Sequence, residues 1–211
     1  MRSKCLTAGG LLLLAAALVL AVWNIQEGRR AAQTAQDALH QVERSIAVQA
    51  ADPPPDAAPA SDANREMPVI EVDGNAYIGT VEIPTLALAL PVLRDWSDAL
   101  LKIAPCRYTG SVYQDRMIIA GHNYPRHFGQ LDRLQIGDEV RFTDAEGGCV
   151  TYAVTQTERL AGSAVEQMAS GDWDLTLFTC TAGGQERVTV RCDRTEAANH
   201  MKGGETYGEK T

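Results

Sequence analysis

One cysteine of this chain ends an alternating run of β-type residues, where a strand would present it to a substrate. Cys180 closes the segment DLTLFTC, and the chain then turns over two glycines into ERVTVRC, which carries Arg187. The thiolate is the nucleophilic form of cysteine, and a free thiol with a pKa of about 8.5 is only a few per cent ionised near neutral pH. Cys180 therefore needs a neighbour that carries positive charge or exchanges a proton.

His122 is the first candidate for that neighbour, because histidine titrates closest to physiological pH. It follows the β-type run DRMIIAG and stands far from Cys180 in the sequence, so only the fold can bring the two together. Acyl transfer also develops an oxyanion, which needs donors aimed at it. Arg187 suits that task, since a turn over residues 181–186 predicts a hairpin with Cys180 and Arg187 on adjacent strands.

Alternatives remain open for each of these roles. His127 competes with His122, although its segment PRHFGQL favours a helix start, where capping or packing is its role. Arg191 competes with Arg187, because residues four apart on a strand share a face; the turn favours Arg187 as the nearer to the cysteine. Asn123 either orients the imidazole or is an exposed turn residue.

The elements that must position these residues predict a β-rich domain between about Val69 and Arg194. Pro84 and Pro91 are expected to break the first two β-type runs. The runs are YIGTVEIP, LALALPVL, DRMIIAGHN, DEVRFTD, CVTYAVTQTERL, DLTLFTC and ERVTVRC. Short helical insertions are expected in DWSDALLKI, HFGQLDRL and SAVEQMAS. Many short strands at this spacing favour a closed barrel or a sandwich over a parallel sheet.

The N-terminal segment predicts a membrane anchor. Arg2 and Lys4 precede an uncharged run from Leu6 to Trp23, close to the length of about 20 residues that a spanning helix needs. The preceding basic residues favour a cytoplasmic N-terminus. A cleaved signal peptide is the competing interpretation, but no clear small-x-small site precedes the polar segment.

Residues 26–51 predict a juxtamembrane helix with a thin apolar stripe at helical spacing, formed by Ala35, Leu39, Val42 and Ile46. The Pro- and Ala-rich segment that follows cannot bury a core and indicates an extended linker.

Charge and cysteine usage exclude other classes. The formal net charge is -8, whereas nucleic-acid binding needs a basic surface. The five cysteines show no paired metal-ligand spacing, so a structural zinc site is not expected. Cys106, Cys149 and Cys192 form at most one disulfide among them, or stay reduced.

Three ordered motifs resemble the sortases, the cysteine transpeptidases of Gram-positive bacteria. TLFTC is similar to the TLxTC signature of that family, IIAGHN matches the segment that supplies its histidine, and Arg187 in GGQERVTV falls where the family carries its arginine. HFGQLDRLQIGDEVRFTD also looks like the family's segment after the histidine. The resemblance covers roughly Tyr77 to Cys192. It implies a mostly β fold: a closed eight-stranded sortase-type β-barrel with short helices, preceded by a transmembrane helix and a linker.

The same resemblance implies an activity. Cys180 would attack the Thr–Gly bond of an LPxTG-like sorting signal and form a thioacyl enzyme. His122 would serve as general acid and base, Arg187 would hold the substrate backbone and stabilise the oxyanion, and Thr179 would orient the peptide or line the oxyanion site. The surface protein would be joined to an amine of a cell-wall precursor or a pilin. This chemistry requires no metal and no organic cofactor.

These inferences give a domain organisation: residues 1–25 as cytoplasmic tip and signal anchor, 26–68 as helix and linker, 69–194 as catalytic barrel and 195–211 as polar tail. The protein is expected in the cell membrane, single-pass, with the catalytic domain extracellular. The absence of a second apolar span and of a lid motif favours a housekeeping-like or class B-like sortase over a pilus polymerase.

Two other functions compete with the transpeptidase. The first is a non-catalytic extracellular β-domain used for binding or scaffolding. The second is a papain-like protease, which the order of the chain opposes, because the histidine here precedes the cysteine.

Overall fold

The computed structural model describes residues 2–51, 65–114, 116–181 and 183–195, with side chains from residue 9 onward. Most of the predicted linker and nearly all of the predicted tail lie outside the described residues. The helices are α1 (Arg2–Ala51) and α2 (Val165–Ala169). The strands are β1 (Ile70–Val72), β2 (Asn75–Ile83), β3 (Leu88–Leu93), β4 (Cys106–Thr109), β5 (Met117–Gly121), β6 (Glu139–Asp144), β7 (Cys149–Ala161), β8 (Leu175–Cys180) and β9 (Glu186–Arg194).

Eight of these strands close into a barrel, as the resemblance implied. Their order is β2-β3-β4-β5-β8-β9-β7-β6, and β6 pairs with β2 to complete the ring. β1 lies outside the ring and pairs with β2. Two neighbouring pairs, β3–β4 and β5–β8, are parallel, and the others are antiparallel.

The barrel interior is filled by apolar side chains from alternate strand positions. Val140 and Phe142 of β6 are fully buried, which confirms the alternation that predicted this strand. Ile119 of β5, Leu177 of β8 and Val190 of β9 are buried in the same core. Each such side chain contributes roughly 1.5–3 kcal/mol by leaving water. The three strands that carry the candidate site are therefore held in place by the same packed hydrophobic core.

The expected breaks and insertions are mostly confirmed. Pro84 ends β2 and begins a 3-10 turn. Pro91 was expected to break a strand but lies inside β3, opposite Thr80 of β2. β3 tolerates a residue without an N–H because its other neighbour, β4, pairs with it at one residue pair only. The three predicted helical insertions appear as 3-10 turns at 100–102 and 131–133 and as α2.

The predicted anchor and the predicted juxtamembrane segment form one continuous helix. Ala35, Leu39, Val42 and Ile46 are all buried, so the predicted apolar stripe exists and has a partner. Val42 and Ile46 pack with residues of β1 and β2 on the outside of the barrel. The N-terminal part of α1 is exposed, and α1 is the one helix in the described part of the chain that is long and apolar enough to cross a membrane.

Candidate active site

Strand register brings the three candidate residues to one rim of the barrel. β5 and β8 run parallel with Gly121 opposite Thr179, so His122 and Cys180 follow at the same ends of neighbouring strands. β8 and β9 are antiparallel with Cys180 directly opposite Arg187. The predicted arrangement of cysteine and arginine on adjacent strands is therefore confirmed.

The hairpin between β8 and β9 presents Cys180 to solvent. The five preceding residues of β8 are buried, whereas Cys180 is exposed. The backbone N–H of Thr181 donates to the carbonyl of Glu186 at 2.9 Å, which extends the pairing one step beyond the cysteine. Glu186 already belongs to β9, so the turn is shorter than the expected 181–186. Gly184 adopts a φ of 69°, which side chains other than glycine rarely tolerate.

The guanidinium of Arg187 lies over an aromatic ring, and one of its nitrogens has no hydrogen-bond partner among the described residues. Its guanidinium carbon lies 6.0 Å from the ring centroid of Phe178, which stands two residues before the cysteine on the same strand face. Tyr108 packs edge-to-face on Phe178 at 5.5 Å. Nη1 of Arg187 is buried and makes no hydrogen bond to any described residue. The guanidinium is thus oriented by a cation–π contact beside the strand end that carries Cys180.

Arg191 occupies a different environment, although it lies on the same strand. It is only 2% exposed, and its Nε donates to the Glu158 carboxylate at 2.9 Å. Its remaining donors bond the carbonyls of Met168 and Gln167 at 2.6 and 2.8 Å and the hydroxyl of Thr176 at 3.1 Å. Arg191 therefore ties α2 to the barrel wall.

The backbone around His122 is fixed by close packing. Gly121 precedes it, and a Cβ at that position would overlap the ring of Phe128, so a larger residue is excluded. The N–H of Phe128 donates to the carbonyl of His122 at 3.1 Å and closes the loop. Phe128 itself is fully buried in the barrel core. The backbone that carries the imidazole is consequently fixed by its contacts with the barrel core.

The imidazole of His122 is half-buried and stacked. Tyr124 lies parallel to it, with ring centroids 3.9 Å apart and an interplanar angle of 9°. Burial lowers the pKa of His122, whereas a hydrogen bond with the side chain of Asn123 and the negative charge of Glu27 oppose that shift. Nδ1 is buried without a good hydrogen-bond partner among the described residues. The ring is therefore biased towards its neutral form.

Tyr124 is the residue that the sequence analysis missed. Burial raises the pKa of Tyr124, and the nearby carboxylate of Glu27 on α1 raises it further, so α1 lies next to the tyrosine that stacks on His122. Glu27 also lies 3.5 Å from the ammonium of Lys102. The signal available in the sequence was an aromatic residue two positions after the histidine, but its partner on α1 could not be inferred.

Thr179 points away from the face that carries the cysteine. It is 3% exposed, and its Oγ1 makes no hydrogen bond to a described residue. It nevertheless lines a small cleft of about 260 Å³ together with Cys180, Asn123 and Arg159. The residue thus borders the cleft, while its hydroxyl is buried without a hydrogen bond to a described residue.

His127 is fully buried between the loop after β5 and α1. Its ring meets Tyr124 edge-on at 5.5 Å, and desolvation lowers its pKa to about 4, with a smaller opposing contribution from the backbone of Ala31. The segment around it forms turns rather than the expected helix start. A buried neutral imidazole of this kind is a packing group.

The burial of His127 predicts acid sensitivity. Above pH 6.5 the imidazole is neutral in both states, and between pH 6.5 and about 4 only the unfolded chain takes up the proton. The folded state should therefore lose about 3 kcal/mol as the pH falls through that window. Thermal unfolding of the full chain in detergent micelles, followed by circular dichroism, measures this loss. His127→Gln should flatten the pH dependence, whereas an unchanged slope would contradict the assignment.

The other cysteines do not join the site. Cys106, Cys149, Cys180 and Cys192 are all free, so no disulfide forms among the described cysteines. Burial raises the pKa of both Cys106 and Cys192 to about 12, which keeps these thiols protonated. The described residues contain no group of three or more side chains suited to hold a metal ion.

Comparison with known proteins assigns the family. The sequence model of the sortase domain matches residues 81–195, more than half of the chain. The chain therefore belongs to the sortase family. No curated protein sequence matches it.

Solved structures show the same fold. Sortase A from Corynebacterium diphtheriae superimposes with a TM-score of 0.54 at 22% identity, over 60% of this chain and 64% of that one. A Clostridium perfringens sortase D5 transpeptidase gives 0.58 at 17%, over 78% and 99%. Clostridium perfringens sortase C with the C-terminal cell wall sorting motif gives 0.52 at 20%, over 76% and 91%. These structures come from classes A, D and C, so the class B-like assignment stays a prediction.

Proposed function

We propose that this sortase is a cysteine transpeptidase that cleaves an LPxTG-like sorting signal between threonine and glycine. It then transfers the surface protein, whose new end is the threonine acyl group, to an amine of the cell wall or of a pilin. The observation that carries the proposal is the common rim: β5, β8 and β9 are neighbours, and their adjoining ends hold His122, Cys180 and Arg187. The exposed nucleophile, the titratable imidazole and the free guanidinium donor match the needs of acyl transfer.

The first half-reaction forms a thioester. Neutral His122 takes the proton of the Cys180 thiol as the sulfur attacks the carbonyl carbon of the threonine in the Thr–Gly bond, and the negative charge passes to the carbonyl oxygen. Arg187 donates to that oxygen, and its contact with Phe178 keeps the donor in place. The C–N bond breaks as His122 protonates the departing amine of glycine. Thr179, which lines the same cleft as Cys180, orients the peptide or lines the oxyanion site.

The second half-reaction consumes the thioester. An acceptor amine attacks the acyl carbon, and neutral His122 takes a proton from it as the new amide forms and the thiolate leaves. The lowered pKa of His122 favours this neutral form at physiological pH. The exposed apolar part of α1 supports a membrane anchor, with the barrel on the extracellular side.

A transpeptidation assay tests the proposal. The full chain in detergent micelles is mixed with a pool of sorting-signal peptides that share a Thr–Gly step, together with a triglycine acceptor. We expect cleavage between threonine and glycine, and mass spectrometry should find the threonine joined to the acceptor. Peptide binding without cleavage of any member would instead support the alternative, a non-catalytic extracellular β-domain.

The two arginines of β9 should respond differently to the same substitution. Arg187→Met should lower kcat/KM by about 10²-fold with little change in thermal midpoint, because it removes an oxyanion donor. Arg191→Met should destabilise the fold by about 3 kcal/mol, because it leaves Glu158 and two buried carbonyls unpaired. Peptide cleavage and thermal unfolding of both variants measure the contrast. A stable Arg191→Met protein without turnover would move the role to Arg191.

A further inference from the structure

A cleft of about 730 Å³ opens beside His122, between α1 and the loop that follows β5. One wall is formed by α1 from Asn24 to Arg29, and the facing wall carries Lys102 and Arg126. Cys180 is not among its lining residues; the cysteine faces the separate cleft that Thr179 lines. His122 lines this cleft and Cys180 lines the other, so the cleft borders the candidate catalytic rim on the histidine side.

The charge of this cleft is opposite to that of the chain. The chain carries a formal charge of -8, yet three of the four charged side chains that line the cleft, apart from His122, are basic. Glu27 offsets Lys102 at 3.5 Å. Arg29 and Arg126 form no ion pair with any described acidic side chain, so two guanidinium groups remain for a ligand. Their planar fork of donors matches phosphate oxygens.

The position of the cleft along α1 sets its depth in a membrane. The apolar run ends at Trp23, an exposed aromatic residue of the kind enriched at membrane interfaces, and the cleft wall begins at the next residue. A rise of 1.5 Å per residue places Arg29 about 9 Å beyond Trp23 along the helix axis. The headgroup layer of one leaflet is roughly 5–8 Å thick. The cleft wall therefore begins inside the headgroup layer at Asn24 and ends just beyond it at Arg29, whose long side chain can reach back to the lipid phosphates.

We propose that this cleft binds the phosphate group of a membrane lipid, held by Arg29 and Arg126 beside His122. The proposal rests on the membrane anchor of the proposed function but not on the acyl-transfer chemistry. A seated lipid would hold the side of the barrel that carries this cleft against the membrane surface, because the phosphate contacts both walls. The His122 side of the catalytic rim would then face the membrane surface.

A titration with matched short-chain lipids tests the site. The protein is the full chain with Cys180→Ala, in neutral detergent micelles, so that the outcome is independent of turnover. Isothermal titration calorimetry compares dioctanoylphosphatidylglycerol with dioctanoylglycerol, which lacks the phosphate. We expect the phosphate-bearing lipid to bind at least about tenfold more tightly, since a charge-assisted pair of this kind is among the strong hydrogen bonds.

Arg30 provides the control variant. It is exposed and lies at the same membrane depth as Arg29, but it does not line the cleft. Arg29→Gln and Arg126→Gln should each weaken binding of the phosphate-bearing lipid by about tenfold, and Arg30→Gln by less than about twofold. Equal losses from Arg29→Gln and Arg30→Gln would show diffuse attraction to the anionic lipid and overturn the proposal. Glycerol 3-phosphate tests a soluble source: binding as tight as that of the lipid would overturn the lipid as ligand.

Discussion

Cys180→Ala is expected to abolish transpeptidation, with a loss of at least about 10⁴-fold in turnover, because no other group at the rim can form the thioester. The register that sets Cys180 opposite Arg187 and next to the end of β5 leaves the remaining site intact in this variant. Peptide binding should therefore survive while cleavage disappears. Rates come from a fluorogenic version of the sorting-signal peptide cleaved in the transpeptidation assay, and the covalent intermediate is observed by intact mass after acid quenching.

Cys149 is the matched control for this experiment. It is the other described cysteine that is exposed and free, so it is as open to a reagent as Cys180. Cys149→Ala should retain the acyl adduct and full turnover, and an adduct that persists in Cys180→Ala would assign the chemistry to another thiol. Cys106 and Cys192 are excluded from that role by burial, which raises the pKa of both thiols.

The sequence was sufficient to predict that Cys180 and Arg187 lie on adjacent strands at the rim of the barrel. The alternating run that ends at Cys180 and the short turn after it predicted the β8–β9 hairpin, because a strand's period and a short turn are local properties. The motif that resembles the family's histidine segment added His122. The same strand period placed Arg187 and Arg191 on one face and left the choice open. What separates them is α2, whose carbonyls at Gln167 and Met168 bind Arg191 from a segment remote in sequence.

The contacts of α1 could not be predicted for a related reason. A thin stripe that includes Val42 and Ile46 predicts which face of a helix is buried, but it contains no information about the surface that covers it. The packing against the outside of the barrel brings Glu27 to Tyr124 and thus reaches His122. Pro91 failed as a strand breaker because pairing of β3 on its second side is nearly absent.

His122→Ala is the second substitution with a large expected effect. Loss of the acid and base should lower kcat/KM by about 10³-fold, within the range for a positioned proton donor. The side chain is only half-buried, so the thermal midpoint should change little. Added imidazole should restore part of the rate, since the cavity left beside Tyr124 is open to the neighbouring cleft. His40→Ala, an exposed change on α1, should leave turnover unchanged.

The pH dependence of the second half-reaction distinguishes a proton-transfer role of His122 from a purely structural one. Burial lowers the pKa of His122 below its usual 6.5, and the neutral ring is the base, so aminolysis of isolated thioacyl enzyme should rise with pH with a midpoint below 6.5. The acceptor is held at a constant concentration of its free-base form. In His122→Ala this rise of the rate with pH should vanish. Added imidazole should restore a rise, now centred on the pKa of free imidazole. A rise that survives unchanged in His122→Ala would remove His122 from the chemistry, whatever the loss in rate.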